Sequence, residues 1–344
     1  LPCLKDASCI NLLRKSGALL LGHTNMTELA YSGLGINPHY GTPENPIYKG
    51  SVPGGSTSGG AVSVALDIAD ITIGTDTGGS TRIPAAYTGI TGFKPTQDTI
   101  SREGCLVLSK TLDSVGIMAK NTALCKLAYE AMNEGPKSKK HDDINNNFTI
   151  TIPKNFGFDN IESDIQSTFD IAKQKIINNG INVVEVNLPI LDRYKKVPLW
   201  QFAAVECQTE YFDAYRDTPG LIDPNILKRM HRANDVKAVE YNLLLKVRQK
   251  MIEMFNNELG DSFLLMPTVT IKPPLLKDCN DTKHYDEVNL ISLQNTTLAN
   301  FMNGCSISIP FSNNNTTMGI MLNGSTNKDY QLLEIGAIIE KILK

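Results

Sequence analysis

The sequence predicts an α/β protein, and three observations carry that reading. Apolar segments of strand length alternate along the chain with amphipathic segments of helix length. One stretch has a full strand–helix–strand order: 148–152 alternates as a strand, 161–178 reads as a helix stopped by Asn179-Gly180, and 182–188 reads as a second strand. Residues 53–96 set two glycine- and serine-rich loops around a short apolar core, a composition that lets backbones approach closely.

Taken in order, residues 7–17 predict an amphipathic helix, with Ile10, Leu12 and Leu13 apolar, Arg14 and Lys15 polar, and Gly17 closing it. Residues 18–22, Ala-Leu-Leu-Leu-Gly, predict a buried strand. Asn25 or Thr24 then suits the N-cap of a short helix. Residues 32–53, rich in Gly, Pro, Asn and Tyr, predict a long ordered loop or a ligand-facing wall. The loops Gly54-Gly55-Ser56-Thr57-Ser58-Gly59-Gly60 and Thr77-Gly78-Gly79-Ser80 follow, with a helix at 61–68 and a buried strand at 71–74 between them. A flexible linker would share the glycine and serine but not the Ala-Val-Ser-Val-Ala-Leu run.

Beyond them, 101–116 reads as irregular and 122–133 as helix. Residues 135–147 are polar and apolar-poor, the signature of a linker-like surface excursion. Helices are predicted at 200–215, 236–258, 295–302 and 330–343. Strands are predicted at 262–267, which ends in a proline turn, and at 306–310. There is no internal repeat.

Composition excludes several function classes. The chain has 344 residues, 41% hydrophobic, with a net charge of −3 carried by interleaved acids and bases, so no nucleic-acid or membrane surface is expected. No apolar run reaches bilayer-spanning length. The chain opens Leu1-Pro2-Cys3 without a methionine, so a preceding segment is expected, a targeting segment among the possibilities. Seven dispersed cysteines without a CxxC point to reduced thiols and a cytoplasmic enzyme. Five scattered histidines lack ligand spacing, so no metal is expected.

The two loops carry the chemistry. A serine hydroxyl is a weak nucleophile that needs a neighbouring base, and a tetrahedral oxyanion needs preorganised donors such as the amides of a glycine loop. Thr77-Gly78-Gly79-Ser80, placed after a strand, offers both a hydroxyl and consecutive amides. Asp76 and Arg82 flank it and can fix it by a charge-assisted hydrogen bond. A glycine loop before a helix can also cradle phosphate, but neither loop has a P-loop Lys-Ser/Thr ending, and GxGxxG and GxSxG are absent. His23, Asn25 and Asp113 read as structural hydrogen-bonding residues, and Cys105 and Cys305 as small core residues.

GGSTSGG (54–60), GTDTGGSTRIPAA (74–86) and GFKPT (92–96) together closely resemble the amidase signature family of serine hydrolases. The likeness continues through LGHTNMTE (21–28), GLGINPHYGTP (33–43), LDSVG (112–116), LLMPT (264–268) and DYQLL (329–333), and so covers nearly the whole chain. It implies an α/β/α fold, a large twisted mixed sheet covered by helices on both faces, as one domain over residues 1–344. It implies hydrolysis of a carboxamide C–N bond by a Ser–Ser–Lys triad. Carried over, Ser80 is the acyl-accepting nucleophile and Ser56 the bridging serine, at what the family makes a cis peptide bond. Thr77, Gly78 and Gly79 form the oxyanion segment with Ser80, and Asp76, Arg82, Thr57 and Ser58 support it. No metal or organic cofactor is implied. The expected partner is a small-molecule amide, with no nucleic acid bound directly, no membrane, and a homodimer open.

The base departs from the pattern. The family lysine lies in a Lys-Asp-Asn-like segment further upstream of the bridging serine than this chain reaches, and Asp6-Ala7 instead fits a helix opening, which leaves Lys5 solvated. The catalytic lysine is therefore expected in a segment before Leu1. Two alternatives stand beside the stand-alone amidase. One is a non-catalytic homologue that binds ligand without turnover. The other is the A subunit of a glutamyl-tRNA(Gln) amidotransferase, a branch in which Gln commonly follows the Ser-x-Arg of the nucleophile loop, where this chain has Ile83.

Overall fold

A computed structural model describes residues 5–133 and 148–344; the excursion expected at 135–147 lies outside the described residues. Eight strands among the described residues join one sheet: β1 (Ile71–Asp76), β2 (Thr91–Lys94), β3 (Ser114–Ala119), β4 (Thr149–Pro153), β5 (Asn182–Val186), β6 (Phe263–Pro267), β7 (Cys305–Asn313) and β8 (Thr316–Gly324). Their spatial order is β1-β3-β2-β7-β8-β6-β4-β5. The sheet is mixed: β4 runs parallel to both β5 and β6, and the remaining pairs are antiparallel.

The strand–helix–strand unit read from the sequence is β4, the helix Ser163–Asn178 and β5, in register Ile150 to Val183. Strand β6 shows why the sheet needs cover on both sides. Phe263 and Leu265 join a core with Ile165, Phe169, Ile307 and Leu332, whereas Leu264 and Met266 join another with Leu191, Phe202, Met251 and Phe301. Alternate residues of a strand point to opposite faces, so a continuous apolar run is the mark of a strand buried on both. Each such side chain contributes about 1.5–3 kcal/mol on burial. The helices Thr122–Met132, Ser163–Asn178 and Asp329–Leu343 cover the first face; Pro189–Tyr194, Trp200–Glu210, Ala238–Leu259 and Thr297–Phe301 cover the second. The α/β layered class is as predicted.

Several expectations need correction. Residues 18–22 are not a buried strand: they are coil, with Leu19, Leu20 and Leu21 exposed. An apolar run becomes a strand only where a neighbour completes its backbone hydrogen bonds, and no described strand pairs with this one. Asn25 caps no helix; its Nδ2 donates to Gly41 O at 2.7 Å, and the short 3₁₀ turn Glu28–Ala30 has no side-chain cap. Residues 101–116 are irregular only up to β3. Strand β8 was not predicted. Its hairpin with β7 turns through Asn314, whose φ of +51° asparagine tolerates better than most residues. No helix among the described residues is long and apolar enough to cross a membrane.

Candidate active site

Strand β1 ends at Asp76 and the helix Arg82–Thr88 begins six residues later; the turn between them is Thr77-Gly78-Gly79-Ser80-Thr81. Asp76 organises it. The buried carboxylate accepts from Gly79 N (2.9 Å), Thr81 N (3.1 Å) and Thr81 Oγ1 (2.9 Å). Arg82 grips the same carboxylate through Nε (3.1 Å) and Nη2 (2.8 Å), with both side chains fully buried. Burial alone would raise the Asp76 pKa, but the Arg82 charge and hydrogen bonds outweigh it and hold the carboxyl well below the usual range. Gly79 has φ +132°, and a Cβ there would stand 2.2 Å from Thr296 Oγ1, so only glycine fits this turn.

Other elements fix the turn from outside. Asn300 Nδ2 donates to Asp76 O (2.7 Å) and Oδ1 (3.0 Å), while its Oδ1 accepts from Arg82 Nη2 (2.7 Å). Thr297 Oγ1 donates to Gly78 O at 3.2 Å, and Thr296 Oγ1 does the same. Thr77 Oγ1 donates to Asp113 Oδ1 at 2.5 Å, and Asp113 Oδ2 accepts the amides of Leu108 and Ser109. Burial pushes the Asp113 carboxyl up to about 6 despite those donors. The amides of Thr77, Gly78 and Ser80 meet no acceptor among the described residues.

The second loop lies against the first. Thr57 N donates to Ser80 O at 3.3 Å, and the helix Ser58–Ala65 starts immediately after. The Gly55–Ser56 peptide is cis. Gly35 supports this loop from the 32–53 segment: it has φ +84°, and a Cβ would overlap Gly54 O at 2.2 Å. Ser56 is fully buried, and its Oγ has no hydrogen-bond partner among the described residues. Two further buried oxygens nearby are also unpartnered, Asn25 Oδ1 and Thr27 Oγ1. Backbone bonds hold the three segments together: Thr27 N to Ser56 O (3.0 Å), and Gly59 N to Asn25 O (2.9 Å). Ser58 Oγ also donates to Asn25 O at 3.3 Å. Buried polar atoms normally find partners, and these three on adjoining segments have none among the described residues.

Ser56, Thr57, Asp76, Thr77, Gly78, Gly79, Ser80 and Arg82 thus converge, with Ser58 alongside. His23 is exposed and Cys305 lies in the core, whereas Cys105 is only half-buried. Asp113, read as structural, bonds directly to the turn. Asn300 was missed, although a polar residue between Ala299 and Phe301 on an otherwise buried helix is a readable signal. Lys94 was also missed as a charged core residue. It is buried, donates from Nζ to Pro95 O (2.6 Å) and Gly304 O (2.8 Å), and burial brings it down to about 8.

Comparison with known proteins places this geometry. A 2-amino-5-chloromuconic acid deaminase from Comamonas testosteroni is 29% identical over 346 residues, spanning 96% of this chain and 73% of that protein. The A subunit of a glutamyl-tRNA(Gln) amidotransferase from Coxiella burnetii (strain Dugway 5J108-111) is 34% identical over 218 residues, 59% of this chain and 45% of that protein. A crystal structure of an amidase matches with a TM-score of 0.89 at 26% identity, over 100% of this chain and 79% of that one. Fold and relatives together define the class, an amidohydrolase. The chain belongs to the amidase family, whose model, described as Amidase, matches residues 2–333.

Proposed function

We propose that the protein hydrolyses a carboxamide through an acyl-enzyme on Ser80, with Ser56 as the bridging serine. The observation that carries this reading is the pairing of two loops. Ser80 sits on a turn whose Thr77, Gly78 and Ser80 amides are uncommitted, held through Thr57 against a buried serine with an unpartnered hydroxyl.

In this mechanism the Ser80 Oγ–H proton passes to Ser56 Oγ as Ser80 Oγ bonds to the amide carbon. Ser56 hands its own proton to a neutral base. The carbonyl oxygen takes the electron pair as an oxyanion, which the turn amides stabilise. Collapse expels the amine, which takes a proton back along the same path, and water then cleaves the Ser80 ester to release the acid.

By the family pattern the base is a lysine. Among the described residues Lys94 is the buried lysine closest in kind, but its Nζ is committed to two carbonyls, and Lys5 is exposed. The orphan oxygens of Ser56, Asn25 and Thr27 suit an ammonium or amine donor. A fluorophosphonate probe on the longest natural form should label Ser80 and fail on Ser80→Ala; equal labelling of both would remove Ser80 from the role.

The likeness to an amidotransferase component supports a second reading, transfer of ammonia from glutamine within a complex. Ile83 argues for hydrolysis to water. It is fully buried beside Ala86, Tyr87, Val269 and Leu293, an apolar setting for a position where that branch commonly has Gln. Glutaminase activity that appears only with partner subunits would favour the second reading.

A further inference from the structure

Behind the nucleophile turn, a cleft of about 410 Å³ opens between residues 97–111 and the helix Ala238–Leu259. Its charged lining is Arg102, Lys110, Lys246 and Arg248 against the single carboxylate of Asp98. We propose that this cleft binds a small organic anion bearing a phosphate or carboxylate group, with Arg248 and Lys246 as its principal contacts.

Two of the four cations are already paired. Arg102 is held by Asp98 (2.9 Å) and by Lys110 O (2.8 Å), and Lys110 pairs with Glu210 at 2.9 Å. Lys246 has no ion-pair partner among the described residues. Arg248 is only 5% exposed, yet among the described residues its one hydrogen bond runs from Nη2 to Asn300 O at 3.1 Å, and its Nε is a buried donor with no acceptor. Glu206 favours the Arg248 charge electrostatically but spends its hydrogen bonds on Ser109, Thr111 and Tyr241. A buried guanidinium nitrogen without an acceptor among the described residues is costly. Burial accordingly lowers its pKa to about 10. Four cations face one carboxylate in the lining, so an oxyanion in the cleft adds balancing charge and acceptors, and the guanidinium fork suits carboxylate or phosphate geometry. The volume exceeds that of a bare oxyanion and falls in the range of small-ligand sites. Leu245, Gln97 and Gln249 remain to contact its organic part.

Both walls lead to the nucleophile turn. Gln97 Nε2 donates to Asp113 O, and Asp113 holds Thr77; Arg248 bonds Asn300, and Asn300 holds Asp76. The site itself stands independently of the hydrolytic mechanism.

Calorimetric titration of the full chain with inorganic phosphate, with citrate, and with chloride, all at fixed ionic strength, tests the proposal. Saturable one-to-one binding of phosphate or citrate but not chloride is expected, and the tighter of the two identifies the anionic group. Lys246→Glu and Arg248→Gln should each weaken that binding at least tenfold. Should Arg248→Gln fail to fold by circular dichroism, the exposed Lys246 position decides alone. Absence of saturable binding, or binding unchanged in Lys246→Glu, overturns the proposal.

Discussion

The backbone N–H of Thr57 donates to the carbonyl of Ser80 at 3.3 Å, a direct bond between the two serine loops. Each loop is otherwise held by its own set of contacts: Asp76, Arg82 and Asn300 on one side, Gly35 and Asn25 on the other. The proposed proton path from Ser80 to Ser56 crosses the seam that Thr57 closes.

Ser80→Ala and Ser56→Ala should each lower amide hydrolysis by roughly a thousandfold or more, because residues of such a triad act as a unit. Their stabilities should differ from those of ordinary core mutants. Ser56 Oγ is buried without a partner among the described residues, so in residues 1–344 taken alone its removal breaks no described bond and should leave Tm unchanged or slightly raised. A marked fall in Tm for Ser56→Ala, measured by calorimetry, would make its role structural.

Asp76→Asn leaves the buried Arg82 guanidinium without its counter-charge. Breaking a buried pair by altering one partner typically costs about 3–5 kcal/mol. Denaturant unfolding should show a loss of that order, and probe labelling of Ser80 should fall with it as the turn loosens. Unchanged stability would mean that Asn300 and Thr296, which also contact Arg82, carry the load.

Ile83→Gln places an amide among Ala86, Tyr87, Val269 and Leu293. A buried amide without partners costs about 1–3 kcal/mol by mutational measures, so Tm should drop while hydrolysis of simple amides persists. If the variant is as stable as the wild type, the site already offers partners to a glutamine, and Ile83 no longer counts against the amidotransferase reading.

How far the sequence could be read followed from the range of the interactions involved. The two glycine-serine loops, the parallel unit of β4 and β5, and the doubly buried β6 are local patterns, and all were legible. So was the Asp76–Arg82 contact, since six positions across a tight turn leave few alternatives. The apolar run at 18–22 misled because burial depends on a neighbour, which a single segment does not encode. Strand β2 has four residues, too few for a period to show, and β8 lay hidden behind an asparagine-rich turn. Asn300 reaches Asp76 across 224 positions, and Arg248 reaches Asn300 from a helix that reads as merely amphipathic. Such contacts are products of the tertiary fold.

Asp113 makes the pH dependence of the turn measurable. Burial raises its carboxyl from 3.8 to about 6 in the folded chain, so the native state binds this proton more tightly than the unfolded state does. The resulting stability is fully present below the unfolded value and is lost as pH rises towards and through about 6. Other carboxylates titrate in the same window, so the quantity to follow is the unfolding free energy of wild type minus that of Asp113→Asn. That difference should fall between pH 4 and pH 6.5 by up to about 3 kcal/mol, taking 1.36 kcal/mol for each tenfold change in proton affinity. Activity should move the other way. Only the ionised carboxylate accepts from Thr77 and from the Leu108 and Ser109 amides at once, so the turn is best ordered above about pH 6. Stopped-flow acylation across this range should rise with an apparent midpoint near 6 in wild type and lose that step in Asp113→Asn. A flat difference curve in the unfolding measurement would mean that the three donors to the carboxylate fully offset its burial.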